Sequence, residues 1–508
     1  MGILQRVQVS YHAKLSRNLD TGCYVEITSL SFATFVAAVV IAVDLFPSHT
    51  LRLSILTSAN FIFVATYITE LRQIVPALVF LLLCYVTIRL VRRCRSGITP
   101  LIGIGLVLVV YVYVKKFSFF DHIYPLKFPY LVVGLSYMLF RVIHLIVDVH
   151  SGDITERIKP LTFFNYTCNL LTFISGPIQS YQEFARGFIA SQRQTRDEFN
   201  SDYVFCAFHR IIYGYAKVII VSGIANYLYL YIRQRIFAGD TELAGRNLIV
   251  EYGCCSVMYT VYLYFNFSGY MDIVIGVGRL LGQDLPENFN KPFLARNFLE
   301  FWTRWHMTLS QWFKTYLFNP LMSMLIGRIP QPVMVPYLGI MAFFITFFVM
   351  GVWHGTTIVF VIYGLLMGAG ASANKLWQLV MVDRLGRERY RRLSKQPLYM
   401  YFSRGLTTGF FSLGLTCLWV NMDQLHRLWD ALGPAGLSSA LLLSATGCGI
   451  AMFLHDFLLL QTKKWFSWTA ILSQRNVFGN FWCAAEILLI FTVSTFFHKT
   501  PEFVYRAF

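Results

Sequence analysis

The sequence predicts an all-α, polytopic integral membrane protein with about eleven to thirteen transmembrane helices, plus shorter interfacial or re-entrant segments. Hydrophobic residues make up 56% of its 508 positions and charged residues only 14%, whereas roughly a quarter of an average soluble domain is charged. A water-soluble fold of this length has no means of hiding so much apolar surface. Apolar runs long enough to cross a bilayer recur along nearly the whole chain. Disorder, coiled coil and collagen are excluded by the same composition.

In chain order, the spans are expected near 25–46, 51–68, 75–91, 101–114, 129–147, 203–231, 248–265, 334–350, 354–374, 398–420, 437–460 and 481–498. Leu161 to Pro177 is apolar but short and ends in Gly176-Pro177, so it reads as re-entrant or interfacial. One transmembrane domain, 25–498, then lies between an N-terminal tail, 1–24, and an aromatic C-terminal tail, 499–508. No cleavable signal is expected in the tail, because Arg6, Lys14 and Arg17 are spread thinly with no small-residue cleavage site behind them.

The net charge is +17, from 43 Lys and Arg against 26 Asp and Glu. No basic-aromatic soluble module is present, so nucleic acid is not expected as a partner. The basic residues gather between apolar runs, as in Arg89, Arg92, Arg93 and Arg95, and again in Arg384, Arg387, Arg389, Arg391, Arg392 and Lys395. Both loops read as cytoplasmic. That places the N-terminus outside, against the weaker vote of its own basic residues. A basic cytoplasmic face also attracts an anionic partner. The ten cysteines contain no CxxC pair and lie mostly inside apolar runs, which suits small buried hydrophobes and not a disulfide framework or a zinc site.

The densest polar chemistry lies between Tyr264 and Gly355. Tyr264–Asp272, with Asn266, Ser268 and Asp272, and the later Pro286–Phe293, with Asn288 and Asn290, are too rich in Asn, Gly and Pro for a plain lipid-facing helix. Both are expected at the interface or lining a cavity. Asn297–Tyr316 has helical periodicity. With Glu300 at zero and about 100° per residue, the aromatic residues Phe301, Trp302, Trp305, Trp312, Phe313 and Tyr316 share one face. Arg304 and Ser310 lie on the other. Arg296, Glu300 and Arg304 follow at helical steps as a charge ladder. His306 falls at the seam, at roughly 240° on the same wheel, where it would pack against Trp302 and Trp305.

His354 stands in Trp353-His354-Gly355, between the apolar runs Val333–Met350 and Ile358–Ala373. An ionisable residue there is a functional candidate. Gly351 and Gly355 bracket it and allow close approach, while Gly364, Gly368 and Gly370 form a helix-packing stripe. Structural histidines, an interfacial aromatic anchor and packing glycines account for the same pattern. Two histidines 48 positions apart, with no carboxylate or cysteine beside them, do not suggest a metal site. Periodicity alone therefore reaches a membrane protein with a polar cavity.

Taken together, Tyr264–Asp272, Glu287–Phe293, the run Glu300-Phe301-Trp302-Thr303-Arg304-Trp305-His306-Met307-Thr308-Leu309-Ser310 and Gly351–Gly355 closely resemble the membrane-bound O-acyltransferase (MBOAT) family. The bacterial branch that acetylates alginate or passes D-alanine to teichoic acids fits best. Gly134-Leu135-Ser136-Tyr137, Ser175-Gly176-Pro177-Ile178 and Lys217 match more loosely, and the resemblance covers residues 130–370. It implies helices around a central tunnel, with His354 catalytic and His306 the second family histidine. Trp305, Arg304, Glu300, Ser310, Trp353, Asn266, Ser268, Asp272, Asn288 and Asn290 would then shape or line the substrate path. Asn266 stands where acetylating members carry Asp.

The function so implied is transfer of an acyl group, with acetyl favoured by the chain's length, from a cytoplasmic thioester to hydroxyls of a cell-surface polysaccharide. The donor is expected to be acetyl-CoA or an acylated carrier protein, used as substrate, with no tightly bound cofactor. The transfer would run directly or through an extracytoplasmic, esterase-like partner protein, in the lipid of a bacterial inner membrane. D-alanyl transfer to teichoic acid remains open, since Phe140-Arg141 and Asn290-Lys291-Pro292-Phe293 look like that branch. So does a polymer or lipid transporter without chemistry, although paired broken helices are not visible.

Overall fold

The computed structural model describes residues 27–466, apart from 118–133, 191–200, 238–246 and the single positions 28, 47, 69, 95 and 116, together with 485, 487–490 and 492–493. The expected tails 1–24 and 499–508, most of the span at 481–498, and Arg95 lie outside the described residues. Among those residues every regular element is helical. Among the described residues six helices are long and apolar enough to cross a membrane: Arg72–Arg93, Asp202–Phe237, Leu248–Leu280, Val335–Trp353, Ile358–Leu385 and Met422–Leu459. Ser31–Leu45, Thr50–Ala65 and Thr99–Lys115 are apolar but shorter. Leu135–Ser151 and Pro397–Gly414 occupy two further expected positions.

The described residues form two compact units, one within the bounds Met1–Lys116, His122–Val204 and Val277–Asp284, the other within Phe117–Asp121, Phe205–Gly276 and Leu285–Phe508. In the first, Val75–Arg93 buries Ala77, Phe80, Cys84, Ile88 and Val91 along one stripe and packs on Thr99–Lys115 and Leu135–Ser151. Its outward residues Leu78, Val79, Leu82, Val86 and Leu90 are just as apolar. Hydrophobic character all round is what a lipid-immersed helix requires.

The short Leu161–Pro177 segment shows how irregular backbone is kept satisfied in such a unit. Helix Pro160–Thr167 ends, and the buried turns after it leave carbonyls without helical partners. The guanidinium of Arg141, 1% exposed, donates to the carbonyls of Tyr166, Thr167 and Thr172 at 3.1, 2.8 and 2.6 Å. Asn60 Oδ1 accepts the Leu170 amide at 2.8 Å. Every such bond removes a penalty that lipid would otherwise exact.

In the second unit, Val335–Trp353 and Ile358–Leu385 form an antiparallel hairpin, and Pro397–Gly414 packs along Met422–Phe466. The last is two helices joined at Gly433, where φ is 58° and Pro434 follows. A π-helical turn at Lys217–Val221 joins Ser201–Ala216 to Ser222–Phe237.

Two expectations need correcting. Tyr264–Asp272 is not irregular: it lies inside the continuous helix Leu248–Leu280. Asn266 and Ser268 there are buried against protein, so their polarity is never presented to lipid, and no proline interrupts the run. Gly269 lets this helix meet Ser201–Ala216, since a Cβ on it would lie 2.7 Å from the Gly214 carbonyl. Nor is Asn297–Tyr316 one helix. It divides into Phe298–Trp302, a break at 303–306, Met307–Phe313 and the π-helical turn Lys314–Phe318.

Candidate active site

The break at 303–306 is made by a segment outside the periodic run. In an unbroken helix the amide of Met307 would donate to Thr303, and that of Thr308 to Arg304. Instead Met307 donates to the Asn288 carbonyl at 2.9 Å, and the Arg304 carbonyl accepts from the Asn290 amide at 2.9 Å. Thr308 donates to Asn288 Oδ1 at 3.1 Å. The unwound stretch around Asn288 thus replaces the helical ladder. His306 is left as the N-terminal cap of Met307–Phe313 with φ 44°.

The seam position derived from the helical wheel therefore fails. His306 is 1% exposed and sets its ring edge-to-face against Phe267, with centroids 4.9 Å apart. Its Nδ1 lies 3.2 Å from Asn288 Oδ1. Asn288 is fully buried, and its Nδ2 donates to Met271 Sδ at 3.4 Å. Phe267 and Met271, one turn apart on Leu248–Leu280, thus hold the histidine and the asparagine from the same helix face.

His354 follows the last residue of Val335–Trp353 and is 3% exposed. Trp353 and Tyr363 meet its ring edge-to-face at centroid distances of 4.9 and 5.6 Å. The tightness of the hairpin holds it there. A Cβ on Gly355 would lie 2.0 Å from the Phe360 ring. Burial, and after it the neighbouring His354, hold His306 well below the ordinary histidine range. Burial disfavours imidazolium, and a second ring that can be charged disfavours it further. His306 is therefore a neutral imidazole at physiological pH.

The remaining expected residues divide into four groups. Trp305 is buried in an aromatic cluster, stacked on Phe301 at 5.5 Å and edge-on to Phe289 at 5.2 Å. Arg304 and Glu300 form the expected ion pair at 2.9 Å, but Arg296 joins through its backbone amide and not its guanidinium. Asn290 is exposed and contributes backbone, while Ser310 Oγ donates to the Trp305 carbonyl at 3.3 Å. Asp272 is ion-paired, at 2.6 Å to Lys217 and 3.0 Å to Arg210. Arg210 also grips both carboxylate oxygens of Glu287 at 2.6 Å.

Phe267, Met271, Thr308, Tyr363 and Arg210 were not among the expected site residues. Arg210 carried a readable signal, a charge inside an apolar run. The others look like ordinary packing residues until the fold brings them together. Among the described residues, no three His, Cys, Asp or Glu side chains converge as a metal site would require.

Comparison with known proteins bears on this constellation. The profile of MBOAT, the membrane-bound O-acyltransferase family, matches residues 61–384, well over half of the chain and including every residue of the site. The teichoic acid D-alanyltransferase of Bacillus subtilis is 31% identical over 256 residues, 49% of this chain and 61% of that protein. The probable alginate O-acetylase AlgI of Pseudomonas fluorescens is 28% identical over 245 residues, 48% of this chain and 44% of that protein. The counterpart in Pseudomonas aeruginosa is 29% identical over 234 residues, 46% and 40% of the two chains. The matched region spans about half the length of these curated relatives.

Proposed function

Since the chain belongs to the membrane-bound O-acyltransferase family, we propose that it transfers an acyl group, acetyl in the first reading, from a thioester donor to hydroxyls of a cell-surface polysaccharide. The observation that carries this reading is the pair of buried imidazoles, His354 at the hairpin turn and His306 at the helix break. A neutral imidazole is a usable base, and two of them in one water-poor region suit proton transfer between substrates.

The chemistry balances with these residues alone. A hydroxyl of the acceptor attacks the thioester carbonyl carbon as its O–H proton passes to a ring nitrogen of His354. The tetrahedral adduct collapses with cleavage of the C–S bond. The departing sulfur takes the proton back from the His354 imidazolium, leaving an ester and a free thiol. The donor is acetyl-CoA or an acylated carrier protein, drawn to the exposed basic helix Arg387–Leu393. The acceptor is reached directly or through an extracytoplasmic partner, and the protein works as a multi-pass protein of a bacterial inner membrane.

D-alanyl transfer is the second reading, favoured by the higher identity and longer coverage of the D-alanyltransferase match. Reconstitution in lipid vesicles with radiolabelled acetyl-CoA, or with D-alanyl carrier protein, tests both. Label should appear as an alkali-labile ester on the polymer or on a co-purified partner. Label from acetyl-CoA alone supports the first reading, and label from the carrier alone supports the second. No ester from either donor, with the polymer and operon neighbours present, overturns both.

A further inference from the structure

His306 is held by an amide whose orientation the backbone fixes. The amide N–H of Thr308 can only donate, so the Asn288 atom 3.1 Å from it is an acceptor, Oδ1. The Thr308 hydroxyl donates to the same oxygen at 2.9 Å, and Met271 Sδ takes up the Asn288 NH₂. His306 Nδ1, 3.2 Å from that oxygen, must then carry the proton. A neutral ring with Nδ1 protonated has its lone pair on Nε2.

We infer that Asn288 is a positioning residue that fixes His306 as the Nδ1–H tautomer, so that His306 receives a hydrogen bond from a hydroxyl of the acceptor and cannot donate one to the thioester carbonyl. This rests on the acyl-transfer reading only for the identity of the two substrates. A lone pair at Nε2 recognises O–H. The carbonyl oxygen of a thioester, and the oxyanion it becomes, need a donor that this tautomer does not supply at Nε2. His306 therefore belongs to the polyol side of the reaction and His354 to proton removal. Among the described residues, His354 is the titratable group that acts on His306; Phe267 and Asn288, which touch its ring, and Thr308, which is bonded to Asn288, carry no charge.

The test uses the full chain, ¹⁵N-histidine labelled, in lipid nanodiscs. The histidine signals lost in His306→Gln should show a protonated Nδ1 and a bare Nε2 in the wild type. Asn288→Asp should keep that pattern, and Asn288→Leu should lose it. In turnover with acetyl-CoA and a polyol acceptor, Asn288→Leu should raise the acceptor KM and lower kcat by on the order of 10²-fold, leaving the donor KM unchanged. Asn288→Asp should restore most of kcat and move the acid limb of the pH profile upward, because a carboxylate at Nδ1 favours imidazolium. A wild-type His306 protonated at Nε2, or a loss confined to the donor KM, overturns the inference. A wild type inert toward every thioester yet showing the Nδ1–H tautomer supports the Asn288 assignment and overturns the transfer reading alone.

Discussion

A methyl group on Gly351 would lie 2.2 Å from the Cα of Gly364. The two helices that flank His354 therefore meet backbone to backbone, one turn before the histidine. Gly351→Ala must push them apart and carry His354 with them. Overpacking of this kind costs about 1–3 kcal/mol, and turnover should fall more steeply than stability. Gly339→Ala, on the same helix with nothing within 4 Å of its Cβ, is the control and should leave both unchanged. Thermal unfolding and turnover measured on both variants separate the two effects.

His354→Ala should abolish acyl transfer while the protein still inserts and folds. Loss of a general base costs on the order of 10²–10⁴ in rate. His354→Gln should recover nothing, because an amide cannot accept the proton. Near-wild-type turnover in either purified variant would remove His354 from the chemistry.

The depressed titration of His306 has a thermodynamic signature. Its folded value lies below that of an unfolded chain, ordinarily about 6.5, so in acid the unfolded state binds this proton first. Stability contributed here is present above that value and declines as pH falls from it toward the folded one. The Tm of wild type should drop through this window more steeply than that of His306→Gln, which has no proton to bind. Parallel Tm curves for the two proteins from pH 7 to pH 5 would contradict the assignment of a buried, neutral ring.

Asp272→Asn should act on stability before it acts on catalysis. Asp272 is 13% exposed and neutralises Lys217 and Arg210, whose side chains are 14% and 17% exposed. Removing one partner of such a cluster leaves charge buried and is worth about 3–5 kcal/mol in comparable sites. Tm should fall markedly, with turnover per folded molecule little changed. The reverse pattern, an unchanged Tm with lost turnover, would move Asp272 into the substrate path.

The helices were legible wherever lipid decides the pattern. Val335–Trp353 and Ile358–Leu385 lie where hydropathy puts them, and His354 between them was readable as an ionisable residue in an apolar frame. Reading failed where another protein segment replaces lipid as the environment. Asn266 and Ser268 argue against a helix only if they face hydrocarbon, and here they face protein. The break before His306 was invisible because its cause, the backbone at Asn288 and Asn290, stands 14 to 19 residues away from the atoms it binds. A helical wheel assumes that each amide bonds within its own run. It has no way to register a carbonyl arriving from elsewhere.

The left-handed backbone at His306 also sets a limit on how this protein can be improved. An L-residue at φ 44° forgoes about 1–2 kcal/mol that glycine would keep. Glycine at position 306 would recover that strain but empty a buried side-chain site, which costs about 2–5 kcal/mol, so this position offers no route to a hardened protein. A hardened variant should be sought by relaxing Lys291, the other non-glycine residue with positive φ among the described ones, while residue 306 is left untouched.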